Sequence, residues 1–401
     1  MAAETPAVVV GAGINGLGVA RSLAREGVRV WLLDTDAQRP EMRTSAAKPV
    51  TVCSLQGETL VDELVRVAET CFGGVRPVLF MTQEESVKAI SHHRDRLTAL
   101  YRFSLPSVEI VDTLLHKQGF QHLAEQLDSP IPPLVHVRTL EDLPALEKLR
   151  YPVVIKPGER NTDYGHQFKK AYRVESLAEG VELIRRILPV MADIVVQEWI
   201  EGPDSSIYFC LQYLDGQGQV AASFTGSKIR SWPPQVGGTA SCVGAPEFHE
   251  ELSAMTAQFL RAAGVVGMAS MEYKRDVRSH EFRMVEPTVG RTDYQEEVAT
   301  LNGTNLPYAA WCSELGRPLP MPAPGNRPVV WRVQSEDTQS AAAQGQSLAQ
   351  GYPRDGRVAD ALWRWNDPLP GLVQRLQRIR HALHNRTLKL LRGSPAAGSK
   401  S

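Results

Sequence analysis

The chain has 401 residues, enough for two to three domains of ordinary size. Hydrophobic residues make up 43% and charged residues 22% of the sequence, a balance that supports a sizeable core and excludes an intrinsically disordered protein. The 44 lysines and arginines against 45 acidic residues leave a net charge of −1, which argues against a protein dedicated to binding nucleic acid.

The cysteine pattern and the hydropathy predict a cytoplasmic protein. The five cysteines are odd in number and widely spaced, without a Cys-x-x-Cys pair that would indicate a zinc site or a redox couple. The sequence has no basic segment followed by an apolar run at its start, and no stretch approaches the roughly 18 apolar residues that span a bilayer. We therefore expect a reducing compartment and no transmembrane segment.

The first stretch predicts an α/β domain with a parallel sheet. A β-branched run, Val8 to Val10, precedes the glycine-rich turn 11–16, and a helical pattern and a second buried strand follow, ending at Asp34. Another strand over 77–81 continues the alternation of strands and helices. Residues 1–110 are therefore predicted to form the first domain.

The glycine-rich turn has the spacing of a dinucleotide-binding fingerprint. Gly11, Gly13 and Gly16 follow a strand and open a helix, and Asp34 ends the next strand. Glycines let the backbone approach a pyrophosphate, and the helix N-terminus offers N–H groups to it. A FAD- or NAD(P)-dependent oxidoreductase is therefore one hypothesis. The alternative is that the turn serves helix packing alone or holds another ligand.

Residues 111–202 predict a small α+β unit. A helical pattern over 111–127 ends at the proline-rich segment 130–133. Three strands and one helix are expected after it, over 135–138, 153–156, 194–199 and 177–188 respectively.

Residues 203–315 predict an antiparallel sheet. The segments 215–218 and 276–280 have the composition of hairpin turns. Four strands and one helix are expected, over 206–213, 220–225, 268–274, 281–286 and 250–263 respectively.

The remaining stretch, 316–401, predicts loops and one basic amphipathic helix. Residues 316–326 and 335–352 are rich in Pro, Gly, Ala, Ser and Gln, which is typical of loops. Within 372–391, apolar residues keep helical spacing among arginines and a lysine, and no acidic residue follows Asp367. Such a helix binds an anionic membrane or a partner, or packs on its own domain with its charges outward.

Lysines and glutamates at spaced positions suit phosphate chemistry, which requires cations near the phosphate oxygens and carboxylates to hold Mg²⁺. Lys117 lies in a predicted helix, and Lys156 ends an apolar strand just before Pro-Gly. Glu272 and Glu286 lie on two strands joined by a hairpin. Two carboxylates that face one space repel each other unless a divalent cation lies between them. The alternatives are solvated lysines, and carboxylates on opposite faces of the sheet.

The segment 195–204 is an apolar strand that runs into a polar turn, a pattern suited to an adenosine. Its backbone can read the edge of the base, and Glu198 or Asp204 can accept hydrogen bonds from the ribose or the amino group. An acid at the end of a strand is, alternatively, merely solvated.

Together these elements resemble the ATP-grasp superfamily, of the carboxylate-amine ligase type, over about residues 5–310. The segment 286–297 also resembles uncharacterised ATP-grasp ligases of cell-surface polysaccharide-type pathways. The resemblance implies an ATP-grasp fold of α/β and α+β class behind a Rossmann-like pre-ATP-grasp domain. The implied domains are the Rossmann-like domain, the lid subdomain with its preceding helix, the core with the metal site, and a C-terminal extension, at 1–110, 111–202, 203–315 and 316–401.

The resemblance also implies the reaction. A substrate carboxylate attacks the γ-phosphate of ATP to give an acyl phosphate, and an amine then displaces phosphate to form an amide. The expected cofactors are ATP and Mg²⁺, or Mn²⁺ in its place, and the expected partners are a small-molecule carboxylate and a small-molecule amine. A nucleotide-binding protein that has lost catalysis is a third hypothesis, beside the ligase and the oxidoreductase.

Specific residues take the implied roles. The predicted ATP-binding residues are Lys117, Lys156, Gln197, Glu198, Trp199, Ile200 and Asp204. The predicted metal ligands are Glu272, Glu286 and Thr288, and the predicted catalytic contacts are Arg291, Lys228 and Arg230. The predicted substrate contacts are Gly13, Asn15, Asp34, Gly238 and Thr239, the last two in a glycine turn that offers backbone N–H groups.

Two features depart from the pattern of the superfamily. Thr288 stands where many ATP-grasp enzymes have an asparagine, so water or another residue is needed to complete the metal shell. The lid loop, 161–166, has a single glycine where the loop is usually glycine-rich.

Overall fold

The structure is a computed structural model that describes residues 5–158, 167–169, 171–235, 237–291 and 293–392, with side chains to residue 380. The predicted lid loop, 161–166, lies outside the described residues. The five cysteines are all unpaired. Among the helices described, none is both long and apolar enough to cross a membrane.

The first domain contains the predicted parallel sheet. Its strands are β1 (Ala7–Val10), β2 (Val30–Asp34), β3 (Lys48–Thr51) and β4 (Val78–Met81), in the order β3-β2-β1-β4. Its helices are α1 (Ile14–Arg25), α2 (Gly57–Phe72), α3 (Glu84–His92) and α4 (Arg94–Leu97). Both faces of the sheet are covered, so β1 and β4 are buried along their whole length. Strand β3 is not among the predicted strands, because it is a short edge strand that is mostly exposed and has no apolar pattern.

Two short helices follow where the sequence predicts one. They are α5 (Val108–Leu115) and α6 (Lys117–Gln126), separated at His116, whose backbone is extended. A Cβ on Gly119 would lie 2.1 Å from the carbonyl oxygen of Thr113. Only glycine allows α6 to turn back this closely on the end of α5. The break places Lys117 at the first position of a helix.

A second, antiparallel sheet follows. Its strands are β5 (Leu134–Val137), β6 (Val153–Pro157), β7 (Tyr172–Val174) and β8 (Ile194–Glu198), in the order β5-β8-β6-β7, and helix α7 (Leu177–Ile187) packs on it. The three predicted strands and the predicted helix are thus present, with β7 in addition.

The third sheet has seven strands and includes the C-terminal stretch. Its strands are β9 (Ile207–Leu214), β10 (Val220–Trp232), β11 (Gly238–Gly244), β12 (Gly267–Arg275), β13 (Phe282–Val289), β14 (Val329–Arg332) and β15 (Arg357–Asp360). Their order is β13-β12-β9-β10-β11-β14-β15, and both predicted hairpin turns are present. The associated helices are α8 (His249–Ala262), α9 (Glu297–Leu301), α10 (Leu306–Glu314), α11 (Gln334–Ala343) and α12 (Leu369–Arg392).

The C-terminal stretch is therefore less separate than the sequence predicts. Strands β14 and β15 extend the sheet that begins in 203–315, so no sheet boundary falls at residue 315. The predicted loop over 335–352 is wrong in its first half, where α11 lies. Helix α11 consists of small and polar residues, and its buried positions are Asp337, Ser340 and Ala341. It therefore has no apolar stripe from which the sequence could predict a helix.

A buried ion pair holds α11 to the sheet. Arg230 Nε lies 2.7 Å from Asp337 Oδ1, and both side chains are at most 1% exposed. Ser241 donates a hydrogen bond of 2.6 Å to the same oxygen, and the hydroxyl of Tyr352 donates to the other. Charged groups are buried at this depth only when they are paired and hydrogen-bonded.

We predict that Asp337→Ala lowers the stability of the protein by about 3 to 5 kcal/mol, because Arg230 is left buried without its counterion. Equilibrium denaturation in urea measures this effect. Asp355→Ala, which removes an exposed carboxylate of the same stretch, is the control and is expected to change stability little. Equal stabilities of the two variants would show that the ion pair of Arg230 with Asp337 does not stabilise the fold.

Candidate active site

The two glutamates predicted to bind metal lie on the same face of the third sheet. Glu272 on β12 and Glu286 on β13 are directly opposed in the antiparallel register. Directly opposed residues of antiparallel strands project from the same face, so the alternative of opposite faces is excluded. Thr288 follows two residues after Glu286 and therefore shares that face, opposite Ser270.

An ammonium group already neutralises one of the two carboxylates. Lys228 on β10 places Nζ 2.7 Å from Glu272 Oε2, and the Lys228 side chain is only 5% exposed. Burial raises the pKa of Glu272, Lys228 opposes this shift, and the negative charges of Asp293 and Glu286 add to it. Glu272 is therefore close to two other carboxylates, and Lys228 pairs directly with Glu272.

Two further lysines lie near this acidic group. Lys156, at the end of β6, donates a 2.8 Å hydrogen bond to Gln197 Oε1 on the neighbouring strand β8. Burial and the charge of Lys117 together lower the pKa of Lys156 to about 8, and Glu286 acts in the opposite direction. The charges of Lys117 and Glu286 both act on Lys156, and we call the region between these three residues, at the second and third sheets, the cleft.

The hinge after β8 is fixed by hydrogen bonds within the protein. Glu198 accepts a 2.8 Å bond from the backbone N–H of Arg150. Asp204 is 4% exposed and accepts bonds from the backbone N–H groups of Ser231 and Gln235, at 3.0 and 2.8 Å. The prediction that Asp204 contacts ribose is therefore not supported, because its carboxylate holds the turn between β10 and β11.

The aromatic residue of the hinge lies between two cations. The guanidinium of Arg173 is 5.2 Å from the Trp199 ring centroid, and the ammonium of Lys274 is 4.8 Å from it. Burial lowers the pKa of Lys274, which the carboxylates of Asp204 and Glu201 oppose. Ile200, the next residue of the hinge, is buried. The hinge therefore offers the Trp199 ring, bordered by positive charge, as an aromatic surface that suits a nucleotide.

Arg230 does not fit its predicted role as a catalytic contact. It is 1% exposed, and its three nitrogens bond to Asp337 and to the carbonyls of Leu348 and Gln350. The Tyr352 ring also covers the guanidinium, at 5.2 Å from its centroid. Sequence reasoning could not find these partners, because all of them lie more than 100 residues away.

Arg291 lies where the first domain meets the strand of Glu286. It follows Gly290, whose φ of +72° turns the chain at the end of β13. Its backbone forms an isolated parallel bridge with Met81, the last residue of β4. The carboxyl end of the first sheet therefore meets the chain just after the strand of Glu286.

The glycine-rich turn is accounted for mainly by packing. A Cβ on Gly16 would lie 1.9 Å from the carbonyl oxygen of Gly11, and Gly11 itself has a φ of +94°. Asp34 is fully buried, and its two oxygens accept the backbone N–H groups of Ala12 and Asp36. The ribose contact that the dinucleotide hypothesis requires is thus unsupported, as is the predicted substrate contact of Asp34.

The other predicted substrate residues divide into two groups. A Cβ on Gly13 would have only the guanidinium of Arg39 within 4 Å, so this turn leaves room for a ligand. Asn15, in the same turn, donates a hydrogen bond to the carbonyl of Thr82. Gly238 and Thr239 lie instead within β11, paired with β10. The predicted glycine turn is therefore wrong, and the backbone at Thr239 belongs to the sheet ladder.

Two residues near the acidic pair, Asp293 and Lys274, are not among those predicted from the sequence. Asp293 acts on Glu272 after a turn at Gly290, and no periodicity carries across such a turn. Lys274 could have been predicted from the sequence, because it follows Glu272 by two residues on one strand and therefore lies on the same face of the sheet.

The oxygen ligands on β12 and β13 fit a hard divalent cation. In the part of the chain that the structure describes, no three His, Cys, Asp or Glu side chains form a complete metal site. Mg²⁺ does not require one, because it is commonly bound by one or two carboxylates together with substrate phosphates. Glu272, Glu286 and Thr288 could supply such a partial shell, beside the lysines that would hold those phosphates.

This chain has the ATP-grasp fold. It is similar to N5-carboxyaminoimidazole ribonucleotide synthetase solved with ADP, at a TM-score of 0.62 and 15% identity over 85% of each chain. It is also similar to the biotin carboxylase domain of 2-oxoglutarate carboxylase from Hydrogenobacter thermophilus, solved with MgADP and bicarbonate, at a TM-score of 0.60 and 13% identity over 81% of this chain and 73% of that one.

A third similar structure is phosphoribosylglycinamide synthetase from Anaerococcus prevotii, at a TM-score of 0.59 and 13% identity over 78% of this chain and 75% of that one. No family model matches the sequence, and no curated protein matches it either. At these identities the similarity establishes the fold alone.

We predict that Lys228 and Glu272 are energetically coupled in the absence of any ligand. Lys228→Met leaves Glu272 beside other carboxylates without its counterion. Glu272→Gln leaves the buried Lys228 ammonium without its counterion, so each single variant is destabilised. The double variant is expected to recover about 1 kcal/mol relative to the sum of the two. Urea denaturation of the four proteins measures the coupling, with the exposed Lys148→Met as the control. Strictly additive effects would exclude the pair as an element of stability.

Proposed function

We propose that this protein is an ATP-dependent ligase that activates a carboxylate as an acyl phosphate and joins it to an amine. The observation that carries the proposal is the directly opposed pair of Glu272 and Glu286, with Lys228 paired to Glu272. Lys156 interacts electrostatically with Glu286 and with Lys117 beside this pair. Two ammonium groups beside an acidic group are the complement of a triphosphate and its cation. The similar structures with ADP or MgADP support the same ligand.

In the proposed complex the adenine lies against the hinge and the phosphates extend toward β13. The backbone of the hinge and the Trp199 surface would bind the base. Lys156 and Lys117 would bind phosphate oxygens, because the anionic phosphates would supply the negative charge that pairs with each ammonium group. Glu272, Glu286 and Thr288 would hold Mg²⁺, which would supply positive charge to the phosphates.

The reaction takes place in two displacements. An oxygen of the substrate carboxylate attacks the γ-phosphorus, the bond to the β–γ bridging oxygen breaks, and ADP leaves. The amine nitrogen then attacks the acyl carbon, the bond between that carbon and the phosphate oxygen breaks, and phosphate leaves as the nitrogen loses a proton. Lys228, which pairs with Glu272, and Arg291, which follows the strand of Glu286, would stabilise the charge on the transferred group.

We further propose that the substrates bind between the metal strands and the carboxyl end of the first sheet. The bridge between Met81 and Arg291 brings these two regions together. Gly13 leaves space there beside the Arg39 guanidinium, which could bind an anionic group of a substrate. Arg230, Asp204, Asp34, Gly238 and Thr239 are not part of this proposal, because they are engaged within the protein.

We predict that Mg-ATP raises the melting temperature of the protein and that NAD(P) and FAD do not, because the proposed ligand groups complement a triphosphate.

Glu286→Gln should lower amine-dependent phosphate release by about 100-fold with the fold intact. A panel of carboxylates and amines, assayed for ADP and phosphate, provides the measurement.

Glu250→Gln, at an exposed position of α8, is the matched control for this substitution. Stabilisation by FAD or NAD(P) instead of Mg-ATP would overturn the proposal in favour of an oxidoreductase. Binding of Mg-ATP without turnover on any substrate pair would favour the inactive nucleotide-binding protein.

We predict that ATP binding weakens as the pH rises through about 8, where Lys156 loses its proton. The sign follows from the lowered pKa: below this value the side chain is an ammonium that attracts phosphate, and above it the side chain is a neutral amine. Lys156→Arg keeps its charge over the whole range, because the pKa of arginine lies well above it, so its ATP affinity should stay level between pH 7 and pH 9.5. Titration calorimetry measures both proteins, and parallel pH profiles would contradict the role of Lys156.

A further inference from the structure

Helix α12 carries an exposed apolar stripe on its outer side. Leu369, Leu372, Leu376 and Ile379 are 51%, 41%, 60% and 56% exposed. Their spacing of three, four and three residues places them on one face of the helix. Trp365, just before the helix, is 91% exposed and adds an aromatic side chain to this end of the molecule. We call these five residues the α12 stripe.

The opposite face of α12 holds the helix to the protein. Gln377 Nε2 donates a 2.9 Å bond to the carbonyl of Gln38, and Gly371 lies so close to Trp363 that a Cβ would contact it at 3.0 Å. At about 100° per residue, Gly371 and Gln377 lie well away from the α12 stripe. The helix is therefore already packed, and its own domain does not cover the stripe.

Positive charge lies on both sides of the α12 stripe. By helical geometry, Arg375 and Arg380 flank it, one on each side, and both are exposed. No acidic residue follows Asp367, and the helix continues through a sequence with three more basic residues: Arg386, Lys389 and Arg392. The surface thus combines an apolar strip with a positive border.

This charge pattern decides between two occupants. A second copy of α12 packed on the stripe would bring arginines against arginines, with no acidic residue on either helix to pair with them. An anionic lipid surface accepts apolar side chains at the level of its acyl chains and pairs its headgroups with the flanking arginines. Exposed tryptophan also favours the interface between lipid and water.

We propose that α12 binds the protein to the surface of an anionic membrane, lying in the plane of the interface with the stripe inward. Binding of this kind is peripheral, because the helix is held to the protein along its other face. The proposal is independent of the ligase chemistry, since none of its residues belongs to the cleft.

The test measures sedimentation of the full chain with vesicles of phosphatidylcholine alone and of phosphatidylcholine mixed with phosphatidylglycerol in equal parts. We expect binding to the anionic vesicles alone, weakened by high salt. Leu376→Glu combined with Ile379→Glu should weaken it by about tenfold or more, through lost apolar contact and added repulsion. Arg375→Gln combined with Arg380→Gln should weaken it as well.

The control adds the same two charges elsewhere, as Leu140→Glu with Leu319→Glu, at positions 58% and 43% exposed. It should bind vesicles like the unaltered chain, and thermal unfolding establishes that every variant is folded. Absence of binding to anionic vesicles at low salt would overturn the proposal, as would equal losses in the stripe and control variants. Self-association without lipid that the stripe variant abolishes would instead identify the stripe as a contact between two copies. ATP binding, measured on the same samples, reports the proposed function separately.

Discussion

The arrangement of the cleft depends on the repulsion between carboxylates that the strand register forces together. The pairing of β12 with β13 leaves Glu272 and Glu286 no choice of face, and Asp293 adds a third negative charge. Within the protein, Lys228 balances one of these charges from a neighbouring part of the sheet. The remaining negative charge makes the site ready for a cation, and it is tolerated because Glu286 is exposed.

The lysines on the other side of the cleft show the complementary imbalance. Lys117 and Lys156 repel each other, and the burial of Lys156 adds to the free energy of keeping it charged. A polyanion that carries a metal cation relieves both repulsions together, whereas a cation alone or an anion alone relieves only one. The cleft is therefore suited to a metal complex of a polyphosphate rather than to either component by itself.

The sequence was sufficient for those parts of the molecule whose signal is local. Buried strands such as β1 and β6, and the two hairpin turns of the third sheet, follow from apolar runs and turn residues, and they place Lys156, Glu272 and Glu286 correctly on strands. Helix α11 could not be predicted in this way, because it is held by a buried ion pair rather than by an apolar face.

Polar residues at the ends of elements were harder to interpret, for a physical reason. Asp34, Asp204 and Arg230 have the chemistry of ligand contacts, yet each satisfies backbone or side-chain groups of the protein. A buried turn needs such groups as much as a ligand does, because unpaired backbone N–H groups are costly in the interior. The residue type alone does not distinguish the two uses. The partners do, and most of them lie more than 20 residues away in sequence.

The C-terminal stretch connects the two proposals through one short segment. Gln38, whose carbonyl accepts the bond from α12, is followed by Arg39, whose guanidinium lies over Gly13 at the carboxyl end of the first sheet. A membrane bound along the α12 stripe would therefore lie on the far side of the helix from the segment that borders the proposed substrate space. Because this segment is held between α12 and the glycine-rich turn, an orientation of the helix on a lipid surface also fixes the orientation of the cleft relative to that surface.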